Sequence, residues 1–188
     1  MNKHLILIKH SLPEVVENIP AREWTLSEEG RVRAQRLAER LVRFQLEVLV
    51  SSVEPKAKET AEIIAKQHKL KLDVFDGLHE HDRSKAPFLS KDEFLLTVRE
   101  FFDHPDTLVY GNETANQCHD RFDRTVRSVL DLYVDKTIAI VSHGTVISLF
   151  ASRLTGIPDF TLWNELGLPS FVVIDLQSRV LIERENIS

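Results

Sequence analysis

The chain has 188 residues, of which 43% are apolar and 28% charged, and its formal net charge is −5. This length suits a single compact domain, and the negative charge disfavours nucleic acid as a partner, because such binding depends on clustered positive charge. The single cysteine, Cys118, excludes an internal disulfide and a CxxC site, so a reducing, cytoplasmic compartment is expected. The first apolar run, residues 5–8, is too short to cross a membrane, so no membrane partner is expected.

The first part of the chain predicts strands that alternate with helices. Residues 5–8 and 48–50 are continuous apolar runs, typical of strands buried on both faces of a sheet. Between them, residues 27–44 repeat apolar side chains every three or four positions and predict a helix capped by its first residue, a serine. Residues 55–68 predict a second helix with proline in its first turn, and residues 70–75 predict a third strand.

The second part of the chain continues this alternation. Helices are predicted at residues 91–102, 114–134 and 145–154, a strand at residues 137–141, and a closing antiparallel pair at residues 171–175 and 180–183. Because strands and helices alternate, we predict one domain over residues 1–188 with three α/β/α layers around a mainly parallel, mixed sheet. Three longer segments, residues 9–23, 76–90 and 156–169, have no predicted structure and are expected to line the rim of a site.

The usual signatures of cofactor and metal sites are absent. The sequence has no GxGxxG, GxxxxGK[ST], GxSxG or HExxH motif, so no cofactor is expected. His79 and His81 could contribute to a metal site with Asp82 beside them, but two histidines at this spacing do not complete one. The favoured interpretation is therefore that no metal binds and that these are ordinary loop histidines.

Residues that could react with or bind an anion follow three of the predicted strands. They are Lys9, His10, Ser11, Lys56, His143 and Gly144. In open parallel sheets, ligands bind outside the carboxyl ends of the strands, so we expect these residues to meet in one crevice. Ammonium groups and helix N-termini attract phosphate or sulfate, and a neutral imidazole can attack phosphorus to form a phosphohistidine.

Loss of the leaving alkoxide then requires a proton donor. Residues 78–82, Leu-His-Glu-His-Asp, fall in a predicted loop near the crevice and supply Glu80 and Asp82. Desolvation there is expected to raise a carboxyl pKa towards neutrality, as a general acid requires. Glu113 precedes a predicted helix, where a carboxylate complements the helix dipole, so a structural or rim role is favoured for it.

Several segments, in order and spacing, resemble the histidine phosphatase superfamily, the phosphoglycerate mutase-like group. Leu-Ile-Lys-His-Ser at residues 7–11 is similar to the opening Arg-His-Gly motif of that family. Residues 51–61, SSVEPKAKETA, are similar to its Ser-Ser-Pro-Leu-x-Arg-Ala-x-Gln-Thr-Ala segment. Further similarities lie at residues 24–30 (start of the first helix), 78–80 (Leu-x-Glu), 111–114 (Gly-Gly-Glu-Ser) and 141–144 (second histidine motif).

The resemblance implies a role for each matching residue. His10 would be the nucleophile, His143 a second imidazole on the phosphoryl oxygens, and Glu80 the proton donor and later the base. The implied activity is metal-independent hydrolysis of a small phosphorylated metabolite through phosphohistidine. Mutase activity is disfavoured, because the chain is shorter than the mutases and residues 76–111 do not resemble their substrate-binding insert. The sequence leaves the substrate and the oligomeric state open.

The sequence departs from the family at two phosphate contacts. Lys9 and Lys56 stand where the family has arginines that clamp the phosphoryl group. A lysine keeps the attraction but loses the planar, two-pronged grip of a guanidinium. The alternative function is therefore a catalytically weak or silent phospho-ligand binding module of the same fold. Arg83 or Lys85 could fold inwards and restore part of the positive field.

Two smaller residues complete the predicted phosphate site. Gly144 opens the helix that follows His143, and Ser11 replaces a small residue of the family pattern. The hydroxyl of Ser11 could donate a hydrogen bond to phosphate or only fill space, and the sequence leaves both alternatives open.

Overall fold

The computed structural model describes residues 4–84, 86 and 89–188. In these residues the strands are β1 (His4–Lys9), β2 (Val48–Ser52), β3 (Leu72–Phe75), β4 (Ile138–Ser142), β5 (Ser170–Asp175) and β6 (Val180–Asn186). They form one six-stranded sheet in the order β3-β2-β4-β1-β5-β6. The pairs β2–β3, β2–β4 and β1–β4 are parallel, whereas β5 is antiparallel to both β1 and β6. The predicted mixed, mainly parallel sheet is confirmed.

Helices cover both faces of the sheet. They are α1 (Glu28–Leu41), α2 (Pro55–His68), α3 (Lys91–Asp103), α4 (Ala115–Leu132), α5 (Gly144–Thr155) and α6 (Asp159–Glu165). Successive side chains of β1 point to opposite faces, as the strand geometry requires. Ile6 and Ile8 pack with α1 and α2, whereas Leu5 and Leu7 pack with the layer formed by α3 to α6. The three predicted layers are therefore present.

One segment differs in kind from its prediction. Residues 156–169 were expected to form a loop, but they contain α6, which begins after Pro158. A helix of seven residues has fewer than two turns, so its apolar side chains cannot establish a period of 3.6. The helix is held by tertiary contacts: Leu162 is fully buried, and the ring of Trp163 lies 6.1 Å from that of Phe94 in α3.

The ends of the other elements move by a few residues, for local reasons. The predicted helix over residues 27–44 is α1 followed by a 3₁₀ turn, Val42–Phe44, and Ser27 caps its start by accepting a hydrogen bond from the Gly30 amide. At the other end of the chain, β6 extends to Asn186, beyond the predicted residue 183. None of the helices in the described ranges combines the length and apolar character needed to cross a bilayer.

Candidate active site

The carboxyl ends of two central strands bring the two predicted histidines together. β1 and β4 are parallel neighbours, with Lys9 opposite Ser142, so His10 and His143 leave the sheet side by side. Their ring centroids are 5.1 Å apart, and the ring planes are inclined by 61°. Two imidazoles at this separation can contact the same tetrahedral anion.

The hydrogen bond made by His10 fixes which ring nitrogen carries the proton. Its Nδ1 lies 2.7 Å from the carbonyl oxygen of Ser11. Because a carbonyl only accepts, Nδ1 is the donor, and the neutral ring keeps an unprotonated Nε2. Burial lowers the pKa of His10 well below its usual value, and the neighbouring His143 and Lys56 lower it further. His10 is therefore a neutral imidazole whose Nε2 has a free lone pair.

His143 is fully buried between β2 and the start of α5. Its Nε2 lies 2.9 Å from the Ser52 hydroxyl and 3.6 Å from Glu54 Oε1. Its Nδ1 has no hydrogen-bond partner among the residues that the structure describes. Burial, and then the charge of Lys56, lower the pKa of His143 well below its usual value. This ring is also neutral, and one of its nitrogens is left without a protein partner.

One guanidinium, that of Arg121, binds three main-chain carbonyls of the loop that carries Glu80. Arg121 in α4 donates hydrogen bonds to the main-chain carbonyls of Gly77, His79 and Glu80, at 2.9, 2.9 and 3.1 Å. The same group pairs with the carboxylate of Glu113 at 2.6 Å. Arg121 was not singled out in the sequence, because an arginine inside a helical pattern gives no sign that it faces a loop.

The carboxylate of Glu80 reaches the first turn of α5. Its Oε2 accepts from the Thr145 amide at 3.2 Å, and its Oε1 accepts from the His81 amide at 2.9 Å. Burial raises the pKa of Glu80, as expected, but the neighbouring His143, Arg83 and the His81 amide outweigh it, and the net direction is downward. The expected net rise of this pKa towards neutrality is therefore wrong.

The other two candidate acids, Asp82 and Glu113, bind groups other than the start of α5. Asp82 accepts hydrogen bonds from the Ser84 amide and from Asn112. Burial raises the pKa of Asp82, but hydrogen bonds outweigh burial and lower this pKa to about 2. The hydrogen bonds from Ser84 contribute most to the lowering. Glu113 binds Arg121 and accepts from the Asp82 amide at 3.0 Å, which is a structural arrangement. Neither carboxylate makes the contact with α5 that Glu80 makes.

Lys9 lies across the start of α5. Its Nζ donates to the Leu166 carbonyl at 2.7 Å. A Cβ built on Gly144 would lie 3.1 Å from Lys9 Cε and 3.3 Å from Nζ, so the lysine packs closely against the glycine at the start of α5. Burial lowers the pKa of Lys9 to about 8, although the charge of Glu80 opposes the shift.

Lys56 is already paired inside the protein. Its Nζ donates to Glu54 Oε2 and to the Ala21 carbonyl, both at 2.6 Å. The Lys56 and Glu54 side chains are only 7% and 8% exposed. Glu54 was missed in the sequence, because charged residues near a helix start usually face water. The signal was present, since Glu54 stands where the resembling segment has leucine.

Ser11 and Arg83 occupy contrasting positions. The Ser11 hydroxyl is buried and donates to the Gly30 carbonyl at 2.6 Å. The guanidinium of Arg83 lies over the rings of Phe94 and Tyr110, 5.1 and 5.9 Å from their centroids. Its charge contributes to lowering the pKa of both catalytic candidates, Glu80 and His143. Lys85, the alternative to Arg83, lies outside the described residues.

The histidine pair next to Glu80 has partners within the protein. His79 Nδ1 is 2.8 Å from the Glu80 carbonyl, and His81 Nε2 is 3.2 Å from the Glu113 carbonyl. The His81 ring also stacks on Phe101, with centroids 4.2 Å apart. Over the described ranges, no three His, Cys, Asp or Glu side chains are grouped so that they could hold a metal ion.

Comparison with known proteins now assigns this arrangement to a family. The sequence profile of the histidine phosphatase superfamily (branch 1) matches residues 6–181, nearly the whole chain. The chain belongs to the histidine phosphatase superfamily. A curated relative, the "Uncharacterized phosphatase PhoE" of Bacillus subtilis, is 28% identical over 131 residues, which is 70% of this chain. The match spans 65% of the length of that relative.

Solved structures share the histidine phosphatase fold over nearly their full lengths. A phosphoserine phosphatase variant from Entamoeba histolytica, in complex with phosphoserine, superposes with a TM-score of 0.79 at 18% identity, covering 96% of this chain and 95% of that one. A mycobacterial glucosyl-3-phosphoglycerate phosphatase gives 0.76 at 20% identity, covering 92% and 90%. Bacillus stearothermophilus YhfR gives 0.76 at 24% identity, covering 98% of both chains. The predicted phosphoglycerate mutase-like fold is confirmed.

Proposed function

We propose that this chain is a metal-independent phosphomonoester hydrolase that acts on a small phosphorylated metabolite through a phosphohistidine at His10. The observation that carries the proposal is the pair of adjacent neutral imidazoles. In His10, the hydrogen bond from Nδ1–H to the Ser11 carbonyl leaves the free lone pair on Nε2. Membership of the family and relatives that are named phosphatases support it.

In the proposed first step, His10 Nε2 forms a bond to phosphorus as the bond between phosphorus and the ester oxygen breaks. The leaving alkoxide takes a proton from Glu80. In the second step the Glu80 carboxylate removes a proton from water, and the water oxygen attacks phosphorus. The bond from phosphorus to Nε2 then breaks, which releases orthophosphate and restores neutral His10.

The lowered pKa of Glu80 does not oppose its role as an acid. A phosphoryl dianion bound beside this carboxylate raises its pKa, because two like charges at short distance disfavour ionisation. We therefore propose that Glu80 gains its proton when substrate binds. The Thr145 amide that now contacts its Oε2 would become a donor to the phosphoryl group at the start of α5.

The proposed phosphate contacts are Lys9, Lys56, the start of α5 at Gly144, and His143 with its unpartnered Nδ1. Each ammonium group keeps N–H bonds free beyond those it makes in the protein, since an ammonium has three. Ser11 has the weakest support of the predicted contacts, because its hydroxyl proton goes to the Gly30 carbonyl.

Turnover of an aryl phosphate without added metal tests the proposal. We expect hydrolysis by the natural chain and a fall of about 1000-fold or more in kcat for His10→Ala, since the nucleophile is lost. His104→Ala, a change of an exposed histidine, serves as the matched control and should keep full activity. Activity that survives His10→Ala would contradict the proposal.

The second candidate is a binding module without catalysis. It is favoured by one observation: both proposed clamps are lysines, which lack the two-pronged grip of a guanidinium, and each already donates to a main-chain carbonyl. Phosphate binding measured by calorimetry, together with the absence of turnover, would support this candidate against the hydrolase.

A further inference from the structure

A buried carboxylate lies in the middle of the proposed phosphoryl site. Glu54 is the residue before α2, and its side chain is 8% exposed. Its Oε2 accepts from Lys56 Nζ at 2.6 Å, while its Oε1 accepts from the Glu80 amide at 2.8 Å and lies 3.6 Å from His143 Nε2. One anion thus contacts a proposed phosphate ligand, the second imidazole and the loop of the proposed acid.

This placement changes the electrostatics of the site. The positive charges of Lys9 and Lys56 are opposed by the negative charges of Glu54 and Glu80, and Arg83 adds one further positive charge that acts on the site. Both imidazoles are neutral because their pKa values lie well below the usual range. A phosphoryl dianion that approaches Lys56 meets a carboxylate already bound there. Like charges brought together at a poorly hydrated site repel strongly.

We infer that Glu54 is an internal anion that competes with the phosphoryl group for Lys56 and makes the site bind orthophosphate weakly. The inference rests on the proposed phosphoryl site. The Lys56 ammonium has three N–H bonds. One is donated to the Ala21 carbonyl and one to Glu54, which leaves one for a ligand. Weak binding of orthophosphate favours release of the product of hydrolysis.

A purely structural role for Glu54 makes the opposite prediction. If the carboxylate only holds Lys56 and the Glu80 loop in place, its removal loosens both groups and weakens anion binding. If it competes with the ligand, removal of its charge strengthens anion binding. Glutamine has nearly the same shape and keeps one acceptor oxygen for the Glu80 amide, while its NH2 group cannot accept from Lys56. Glu54→Gln therefore removes the charge and frees Lys56 with little change in packing.

Calorimetry with orthophosphate at about pH 7 tests the inference, with melting curves to verify folding. We expect Glu54→Gln to bind orthophosphate about tenfold or more tightly than the natural chain, the effect of removing one like charge. Glu59→Gln is the matched control, because Glu59 lies in α2, the helix that Glu54 precedes, but pairs with Arg31 at the surface, and it should change nothing. Adding Lys56→Met to Glu54→Gln should abolish the gain.

An unchanged or weaker affinity in folded Glu54→Gln would overturn the inference. The natural chain provides a test without substitution: its dissociation constant for orthophosphate should be on the order of 1 mM, and a value near 1 μM would overturn the inference even if the variant did not fold. Calorimetry needs no turnover, so a tenfold gain without hydrolysis refutes only the hydrolase proposal. Hydrolysis without any gain refutes only the role of Glu54.

Discussion

The hydrogen bond from His10 to its neighbouring carbonyl determines what that ring can do. With Nδ1 protonated and bound to Ser11, only Nε2 can act as a nucleophile, and the ring cannot turn without losing a buried hydrogen bond. A buried group left unpaired costs about 1–3 kcal/mol, so this bond holds both the tautomer and the orientation. The same main-chain contact would therefore orient His10 for the proposed attack before substrate binds.

Lys9 makes the proposed reaction sensitive to alkaline pH. Burial lowers its pKa to about 8, so the ammonium loses its proton as the pH rises through about 8, where an ordinary lysine stays charged. We expect kcat/KM for an aryl phosphate to fall above about pH 8, since this ratio reports the free enzyme. Lys9→Arg should remove that fall, because a guanidinium stays protonated.

The control for this experiment is Lys71→Arg, since Lys71 is an exposed lysine that pairs with Asp73 on β3. That variant should keep the alkaline fall of the natural chain. A flat profile between about pH 7 and 9.5 in the natural chain, or a fall that persists unchanged in Lys9→Arg, would show that Lys9 does not supply the charge.

The segment between β3 and α3 brings a third cation towards the site. Arg83 lies on the rings of Phe94, from α3, and Tyr110, and its charge contributes to lowering the pKa of both Glu80 and His143. The aromatic faces thus hold a guanidinium whose field reaches the proposed site. We propose that Arg83 supplies part of the positive field that attracts the phosphoryl group.

Arg83→Met tests this placement. The KM for an aryl phosphate should rise about three- to tenfold, the effect of one charge partly screened by solvent, while kcat changes less. Arg99→Met removes another guanidinium that lies on an aromatic ring, that of Phe160 at 3.9 Å, and should leave KM unchanged. Equal effects of the two substitutions would assign Arg83 to packing alone.

Elements with a repeated pattern could be predicted, and contacts across the fold could not. The helix Pro55–His68 has the predicted bounds, and the proline in its first turn marks where it begins. By contrast, α6 has too few residues to show a period. The position of Arg121 could not be found either, because a charged residue in a helical segment carries no sign of the loop that it faces. For Glu54 the one sign was the leucine that the resembling segment has at this position.

The architecture explains why four distant segments could be assigned to one site. Parallel strands that end at one edge of the sheet bring His10 and His143 together, and this follows from strand order alone. The direction of the pKa shift of Glu80 does not follow from the sequence, because it depends on burial, on Arg83 and on the His81 amide, whose positions only the folded chain defines.

Direct detection of a phosphohistidine is the measurement that decides whether the proposed mechanism at His10 is correct. The natural chain should be mixed with an aryl phosphate, quenched in alkali, which preserves phosphohistidine, and digested for mass spectrometry. The account predicts a phosphoryl group on His10 that is lost in acid and absent from His10→Ala. Turnover by the natural chain with the phosphoryl group on another residue, or with no phosphoenzyme at all, would contradict it.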